Sequence, residues 1–294
     1  MATAGTLLTR ASRQLLSGTV EERNKLAATV TSSDTTLTFT YDVGGIRSGA
    51  VIELDSELCY VWEATTSTKT AVVERGYLGS TAAAHTSGTA VTVNPRFPRS
   101  QMLDALNADI DDLSSTMNGL FRVVAVNVDY NGSDRQINVT SATSIIELMD
   151  VRLRYMEDDF PFVRGVRLQR DMPTADFASG FSVVLDDAVM AGTLRIRYKA
   201  PFVRAASESS DITSYCYVPA TCEDILEMGV AIRMMGAREV KRNFIESQSD
   251  TRRPEEVPPR AISESISNLQ RMRRDRITAE AARLKAQYPQ QFRR

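Results

Sequence analysis

The sequence has few of the residues that most often form catalytic and metal sites. Its 294 residues include one histidine, His85, and three scattered cysteines, Cys59, Cys216 and Cys222. One histidine cannot form a multi-histidine metal site, and the cysteine spacing is not that of a zinc site. We expect His85 to lie in a turn with a backbone hydrogen bond, and the cysteines to be buried apolar residues of a protein from a reducing compartment.

Long apolar runs are also missing. The longest, around residues 121–126, is far shorter than the roughly 20 residues that cross a bilayer. The first residues lack the basic start and apolar stretch of a secretory signal. The sequence therefore predicts a protein with no membrane partner that is synthesised in a cytoplasm.

Enzymatic chemistry has little support in the sequence. Acidic runs occur at 157–159 and 186–187, but neighbouring acids on a strand point to opposite faces, whereas a glycosidase needs two carboxylates facing each other across one bond. The glycine-rich turn at 76–79 lacks the lysine and the strand-to-helix context of a phosphate-binding loop. We expect no enzymatic activity, no cofactor and no metal.

Charge is distributed unevenly along the chain. The formal net charge is −2, but residues 251–294 hold 11 Lys/Arg against 5 Asp/Glu, a net of +6, and the other 250 residues hold 24 against 32, a net of −8. A basic C-terminal segment favours an acidic partner, whereas the body would repel one.

The hydrophobic patterns predict an α+β protein with a helical core, two antiparallel β barrel- or sandwich-like regions and a long C-terminal helical arm. The predicted segments are an N-terminal helix at 1–27, a small β domain at 28–98, a core helix at 99–120, a second β domain at 121–204, a second core helix at 205–250, and a proline linker with an arginine-rich arm at 251–294. In the first β domain, Trp62 lies in an apolar strand, and we expect it in the core.

Two of the predicted helices are suited to close packing against other helices. Apolar residues from Met102 to Met117 recur at helical spacing, which predicts one apolar stripe on a helix at 100–118, with Asp109 among the aspartates on its wet side. A helix at 221–248 carries small residues that let another helix approach closely. The candidate packing residues of these two helices are Leu106, Ile110, Leu113, Gly229 and Gly236.

The C-terminal arm has a thin apolar stripe, which is typical of a helix that packs on other chains or is only partly covered. Its arginines lack interleaved aromatic residues, so docking to a protein is favoured over binding to nucleic acid. The candidate docking residues are Arg271, Arg273, Arg274, Arg276, Leu284 and Tyr288.

Three stretches of the sequence contain recognisable motifs. Residues 74–91 have the pattern RG-x-x-G-(S/T)-x-A-x-x-H-x-x-G-(T/S)-x-V. Residues 96–110 have a polar cap followed by a helix, and residues 217–289 have a small-residue helix, a proline linker and an arginine-rich helix. The first stretch is similar to a hairpin of tailed-phage virion proteins, and the three together resemble the head-to-tail adaptor, or connector, proteins of tailed bacteriophages.

This resemblance implies a structural virion protein located in the neck, and it makes the helix-packing residues Leu106, Ile110, Leu113, Gly229 and Gly236 the candidate ring-packing residues. The family forms a homo-oligomeric ring, a dodecamer, that binds the portal protein on one side and the next neck or tail protein on the other. Double-stranded DNA passes through its channel without specific binding. We expect that deletion of 260–294 abolishes portal attachment and leaves the folded body intact.

Other classes of protein remain open. One is another neck or tail component, such as a stopper, tail terminator or baseplate protein. A second is a carbohydrate- or receptor-binding virion module, which needs a cluster of exposed aromatic residues. A third is a hydrolase acting through the acidic runs, for which a glycan-release assay with Asp158→Asn and Asp186→Asn is the test; we expect no activity.

Overall fold

The computed structural model describes residues 2–16, 21–139, 144–154, 161–187, 189–246 and 261–288. This part of the chain is mixed α+β, with four α-helices and twelve strands, which confirms the predicted fold class. The chain divides into two compact units, one of residues 1–109 and 205–274 and the other of residues 110–204 and 275–294.

The helices lie close to their predicted positions. They are α1 (Ala4–Leu16), α2 (Arg99–Leu113), α3 (Glu223–Glu246) and α4 (Ala261–Gln287). In the first unit, α1 packs against α3, and α1 buries Ala4, Leu7, Leu8 and Ala11. None of the described helices is both long enough and apolar enough to cross a membrane.

A six-stranded antiparallel sheet forms the β part of the first unit. Its strands are β1 (Glu22–Lys25), β2 (Thr36–Thr38), β3 (Val51–Leu54), β4 (Glu57–Thr65), β5 (Thr70–Glu74) and β6 (Ala90–Val93), in the order β1-β6-β3-β4-β5-β2. The sheet is curled, and its two edges are joined where Ala27 donates to the Thr38 carbonyl at 2.8 Å and Thr40 donates to the Lys25 carbonyl at 2.9 Å. The predicted start at residue 28 is late, because the strand Glu22–Lys25 is polar and buries only Asn24.

Two three-stranded sheets form the second unit. The first consists of β7 (Arg122–Tyr130), β12 (Gly192–Ala200) and β9 (Glu147–Leu153), in the order β7-β12-β9. The second consists of β10 (Val166–Gln169), β11 (Ser182–Leu185) and β8 (Gln136–Asn138), in the order β10-β11-β8. Strands β7 and β12 pair over their full nine residues. Both sheets contribute to one hydrophobic core, as expected for a sandwich-like module.

Helix α2 departs from its prediction in two places. The helix ends at Leu113, whose carbonyl accepts a hydrogen bond from the Leu120 amide. Met117 lies beyond this end and is 93% exposed, so Met117 does not extend the apolar stripe. Asp109, predicted on the wet side, is only 1% exposed. Both predictions were wrong because helical spacing alone reports neither where a helix stops nor what packs on its polar side.

Candidate functional site

The loop that contains the 74–91 motif is held by a buried ion pair. Arg75 donates from Nε to Glu57 Oε1 at 2.7 Å and from Nη2 to Glu57 Oε2 at 2.8 Å. The two side chains are 6% and 1% exposed. This two-point contact between a guanidinium and a carboxylate fixes both partners in position and orientation.

His85 joins the same cluster from the far end of the loop. Its Nε2 lies 2.9 Å from Glu57 Oε2 and its Nδ1 lies 2.9 Å from Asp55 Oδ2. Its backbone also pairs with Val30 in both directions. The predicted backbone hydrogen bond is present, but the prediction of a turn histidine missed the two carboxylates, which lie about thirty positions earlier in the sequence.

The cluster also satisfies the backbone of the loop. Glu57 accepts the amides of Gly76 at 3.2 Å and Ala83 at 3.0 Å, and Arg75 donates to the carbonyls of Thr31 and Ala83. Burial by itself raises the pKa of Glu57, but the hydrogen bonds from Arg75, Ala83 and His85 outweigh it and lower the pKa to about 2. We call these residues, Asp55, Glu57, Arg75 and His85, the loop anchor.

The tip of the anchored loop exposes apolar side chains. Leu78 is 66% exposed and has a φ of +53°, in the left-handed region, between Gly76 and Gly79, whose φ values are also positive. A left-handed backbone costs a residue with a side chain about 1–2 kcal/mol. Ser80 stabilises this turn by accepting the Leu58 amide at 2.9 Å and donating to the Tyr77 carbonyl at 2.9 Å.

Aromatic residues of β4 extend this exposed surface. Trp62 is 56% exposed, which corrects the prediction that it lies in the core. The ring of Tyr60 lies 4.8 Å from that of Trp62, at an interplanar angle of 70°, and 5.3 Å from that of Tyr77. All five residues of 58–62 are apolar or aromatic, so the sequence has no alternation of polar and apolar residues here to show which side of the strand faces the core. In the structure, Cys59 and Val61 face the core of the sheet.

We call this surface the aromatic patch: Tyr60, Trp62, Val72, Tyr77 and Leu78. Val72 is 41% exposed and lies on β5, next to β4.

Two exposed carboxylates adjoin the aromatic patch. Glu74 pairs in register with Tyr60, and Glu63 pairs with Val72 across the same two strands. Within the described ranges, no ion pair joins either glutamate to a basic side chain. The patch is therefore both apolar and acidic.

The predicted ring-packing residues have roles within the chain. Leu106, Ile110 and Leu113 are completely buried, so another subunit cannot contact their side chains. A Cβ on Gly229 would lie 2.1 Å from the Asp109 carboxylate, so this glycine makes room for Asp109 of the same unit. Among the residues that the structure describes, none outside the adjacent backbone of the helix has an atom within 4 Å of the Cβ position of Gly236.

The docking candidates of α4 fall into three groups by exposure. Arg273 points inward, with its side chain 14% exposed and its Nη2 2.9 Å from Asp109 Oδ1, and Leu284 is 6% exposed. Tyr288 is half-buried, as is Arg276, which lies 3.8 Å from Glu280. Arg271 and Arg274 are exposed.

The remaining chemical candidates are dispersed. Cys59, Cys216 and Cys222 are free and buried, as predicted, and burial raises the pKa of Cys59 to about 12. Asp186 forms an ion pair with Arg167 at 2.7 Å, and the run 157–159 lies outside the described residues. In the part of the chain that is described, no cluster of three or more His, Cys, Asp or Glu is arranged to hold a metal ion.

Compared with protein-family models and with curated proteins, the chain matches none.

Proposed function

We propose that this protein is a structural subunit of the virion neck of a tailed bacteriophage. It forms a homo-oligomeric ring that joins the portal protein to the next neck or tail protein and lines part of the DNA channel. The observation that carries the proposal is the loop anchor beneath the 74–91 motif, one of the three stretches that together resemble the adaptor proteins.

The anchor gives the recurrent residues of the motif a mechanical role. Arg75 and His85 hold the loop through Glu57, Gly76 and Gly79 have the left-handed backbone of its turn, and Ser80 closes it. The variable positions between the glycines are Tyr77 and Leu78, which are the residues presented outward. A rigid loop with an exposed apolar tip suits a contact surface between proteins.

The same geometry argues against the anchor as a catalytic centre. The His85 side chain is 3% exposed and that of Glu57 is 1% exposed, so a substrate cannot reach the face where they meet. Both oxygens of Glu57 accept hydrogen bonds from the loop and from Arg75. A role in holding the backbone accounts for these contacts without any reaction.

Charge supports passage of DNA through such a ring. Outside residues 251–294 the chain has a net charge of −8, and an acidic channel wall does not bind the phosphates of a duplex. A basic lining would instead release counterions on contact and retain the DNA.

A carbohydrate-binding virion module is the second candidate, because Trp62 is exposed next to Tyr60, whose ring also lies near that of Tyr77. Sugars stack on exposed aromatic faces, and the aromatic patch offers one. However, the rings of Tyr60 and Trp62 stand at 70° to each other, so the patch is not a flat platform.

The decisive experiment measures the mass of the purified full-length protein by light scattering, alone and mixed with tail-less phage heads, followed by negative-stain microscopy. The proposal expects a ring at the portal vertex. A protein that ignores heads and binds glycans would replace it with the carbohydrate-binding module.

Portal docking is better tested by point changes than by removing the arm. Because Ile277 and Leu284 are buried and Arg273 pairs with Asp109, deletion of 260–294 would uncover buried groups, contrary to the expectation of an intact body. We propose Arg271→Ala with Arg274→Ala, with Lys285→Ala as the matched control on the same helix. If these arginines dock on the portal, head attachment should fall for the double variant only, while the mass of that variant in solution stays that of the parent protein. Unchanged attachment would exclude these arginines from docking.

A further inference from the structure

We infer that the aromatic patch binds a second copy of this chain through the exposed arginine and methionine side chains of that copy's helix α4. This inference rests on the proposed function, because it names the subunit contact of the proposed ring, and it assigns Arg271 and Arg274 to that contact instead of to the portal.

The patch has the composition of a contact surface. Trp62, Val72 and Leu78 are 56%, 41% and 66% exposed on two adjacent strands and the loop that follows them. Contiguous apolar surface of this kind on a folded protein usually marks an interaction site. The left-handed backbone of Leu78, held by the loop anchor, keeps an apolar side chain in solvent at a conformational cost.

The negative charge of the patch favours binding of a positively charged group. Glu63 and Glu74 adjoin the aromatic rings, and within the described residues neither is in an ion pair with a basic side chain. An arginine guanidinium can stack on a tryptophan or tyrosine face and pair with a carboxylate at the same time. An anionic or purely apolar occupant would leave the two glutamates uncompensated.

Helix α4 supplies such an occupant within the same sequence. Arg271 and Arg274 are exposed, and Met272 between them is 58% exposed. Arg273 is turned inward by its ion pair with Asp109, which fixes which side of the helix faces outward. Methionine sulfur makes favourable contacts at aromatic rings, so this outward side matches the patch in both charge and chemistry.

The two surfaces are different parts of the chain, so the contact between copies is head-to-tail. A head-to-tail contact produces a closed ring when its rotation closes, and an open filament when it does not. The contact also brings together the excess positive charge of 251–294 and the negative charge of the body.

The test uses the full-length protein, whose only tryptophan, Trp62, reports directly on the patch. Light scattering and tryptophan emission are recorded over a protein concentration series at low and high salt. Association should rise with concentration, weaken at high salt because the charges are screened, and shift the Trp62 emission to shorter wavelength.

Two charge-reversal variants make the test specific. Glu63→Arg with Glu74→Arg makes the patch basic, and Arg271→Glu with Arg274→Glu makes the helix acidic. Each variant alone should associate roughly tenfold or more weakly, because like charges then meet. An equimolar mixture should recover association, because each copy's patch then meets an opposite charge on the other. Lys285→Glu is the control and should behave like the parent protein.

The outcomes separate this inference from the proposed function. Rings on phage heads with unchanged Trp62 emission, or variants that assemble normally, would overturn the patch contact and leave the ring function standing. Absence of rings both in solution and on heads would overturn both. A Trp62 shift with maltooligosaccharides but not with protein concentration would overturn the contact in favour of sugar binding. Circular dichroism and melting curves confirm that every variant is folded.

Discussion

Two buried glutamates at the β3–β4 hairpin have opposite environments. Glu57 is surrounded by donors, and its pKa is lowered to about 2. Glu53, four positions earlier and 6% exposed, accepts the Arg99 amide at 2.5 Å, while the guanidinium of Arg99 pairs with Glu208 instead. Burial raises the pKa of Glu53 to about 7, against the smaller lowering effect of Arg99.

The comparison shows that burial does not by itself decide the charge of a carboxylate. Both side chains lose hydration, which favours the protonated form. Only Glu57 has a guanidinium, a histidine and two amides directed at it, and these compensate for the lost water. Glu57 therefore stabilises the fold when ionised, whereas ionised Glu53 destabilises it.

The largest expected effect comes from leaving Glu57 without its guanidinium. Arg75→Met keeps most of the side-chain volume but leaves a buried charge uncompensated, and we expect the free energy of unfolding to fall by about 3–5 kcal/mol. Urea denaturation measures it. Adding Glu57→Gln should recover part of the loss, since the buried charge is then gone; no recovery would mean that the ion pair is not the main contribution of Arg75.

A third buried carboxylate, Asp109, extends the comparison to the helices. Gly229→Ala would place a Cβ 2.1 Å from it, so Asp109 must move away from Arg273. We expect a loss of about 2–4 kcal/mol in the free energy of unfolding. Gly236→Ala is the matched control, because no neighbouring atom of the described residues lies within 4 Å of the Cβ position there. It should stabilise the protein slightly, by up to about 1 kcal/mol. Equal effects at the two sites would contradict the structure.

Glu53→Gln tests whether the ionised form of Glu53 destabilises the fold. The folded pKa of Glu53 is about 7 against an ordinary value of 4.5, so the folded protein binds the extra proton between these values, and its stability falls as the pH rises through this window. The variant should be more stable than the parent by about 1–3 kcal/mol at pH 8, with no gain below pH 4.5. Thermal melts over a pH series measure the difference, and a gain that is independent of pH would argue against ionisation as its cause.

The pH dependence of Glu57 has the other sign. Its folded pKa of about 2 lies below the ordinary value of 4.5, so its stabilising contribution is present above pH 4.5 and is lost as the pH falls towards 2. Parent and Glu57→Gln should therefore differ most in melting temperature near neutral pH and converge in acid. A constant difference across this range would show that the ionised form is not what the network stabilises.

The smallest expected effect is at the tip of the loop. Leu78→Gly removes the energetic cost of the left-handed backbone in the folded state but raises the conformational entropy of the unfolded state. The two effects oppose each other, so we expect the free energy of unfolding to change by less than about 1 kcal/mol. Leu78→Ala keeps the backbone cost and removes the apolar side chain. A large destabilisation in either variant would mean that Leu78 supports the fold and is not simply presented by it.

The sequence by itself determined the α+β class, the approximate positions of all four helices and the burial of the cysteines, because these follow from local spacing and composition. The clustering of Glu57, Arg75 and His85, the outward orientation of Trp62, and the burial of Asp109 beside Gly229 and Arg273 were decided only by the tertiary structure. Each depends on residues far apart in the sequence, and no local pattern reports which distant donor, strand face or helix will meet a given side chain.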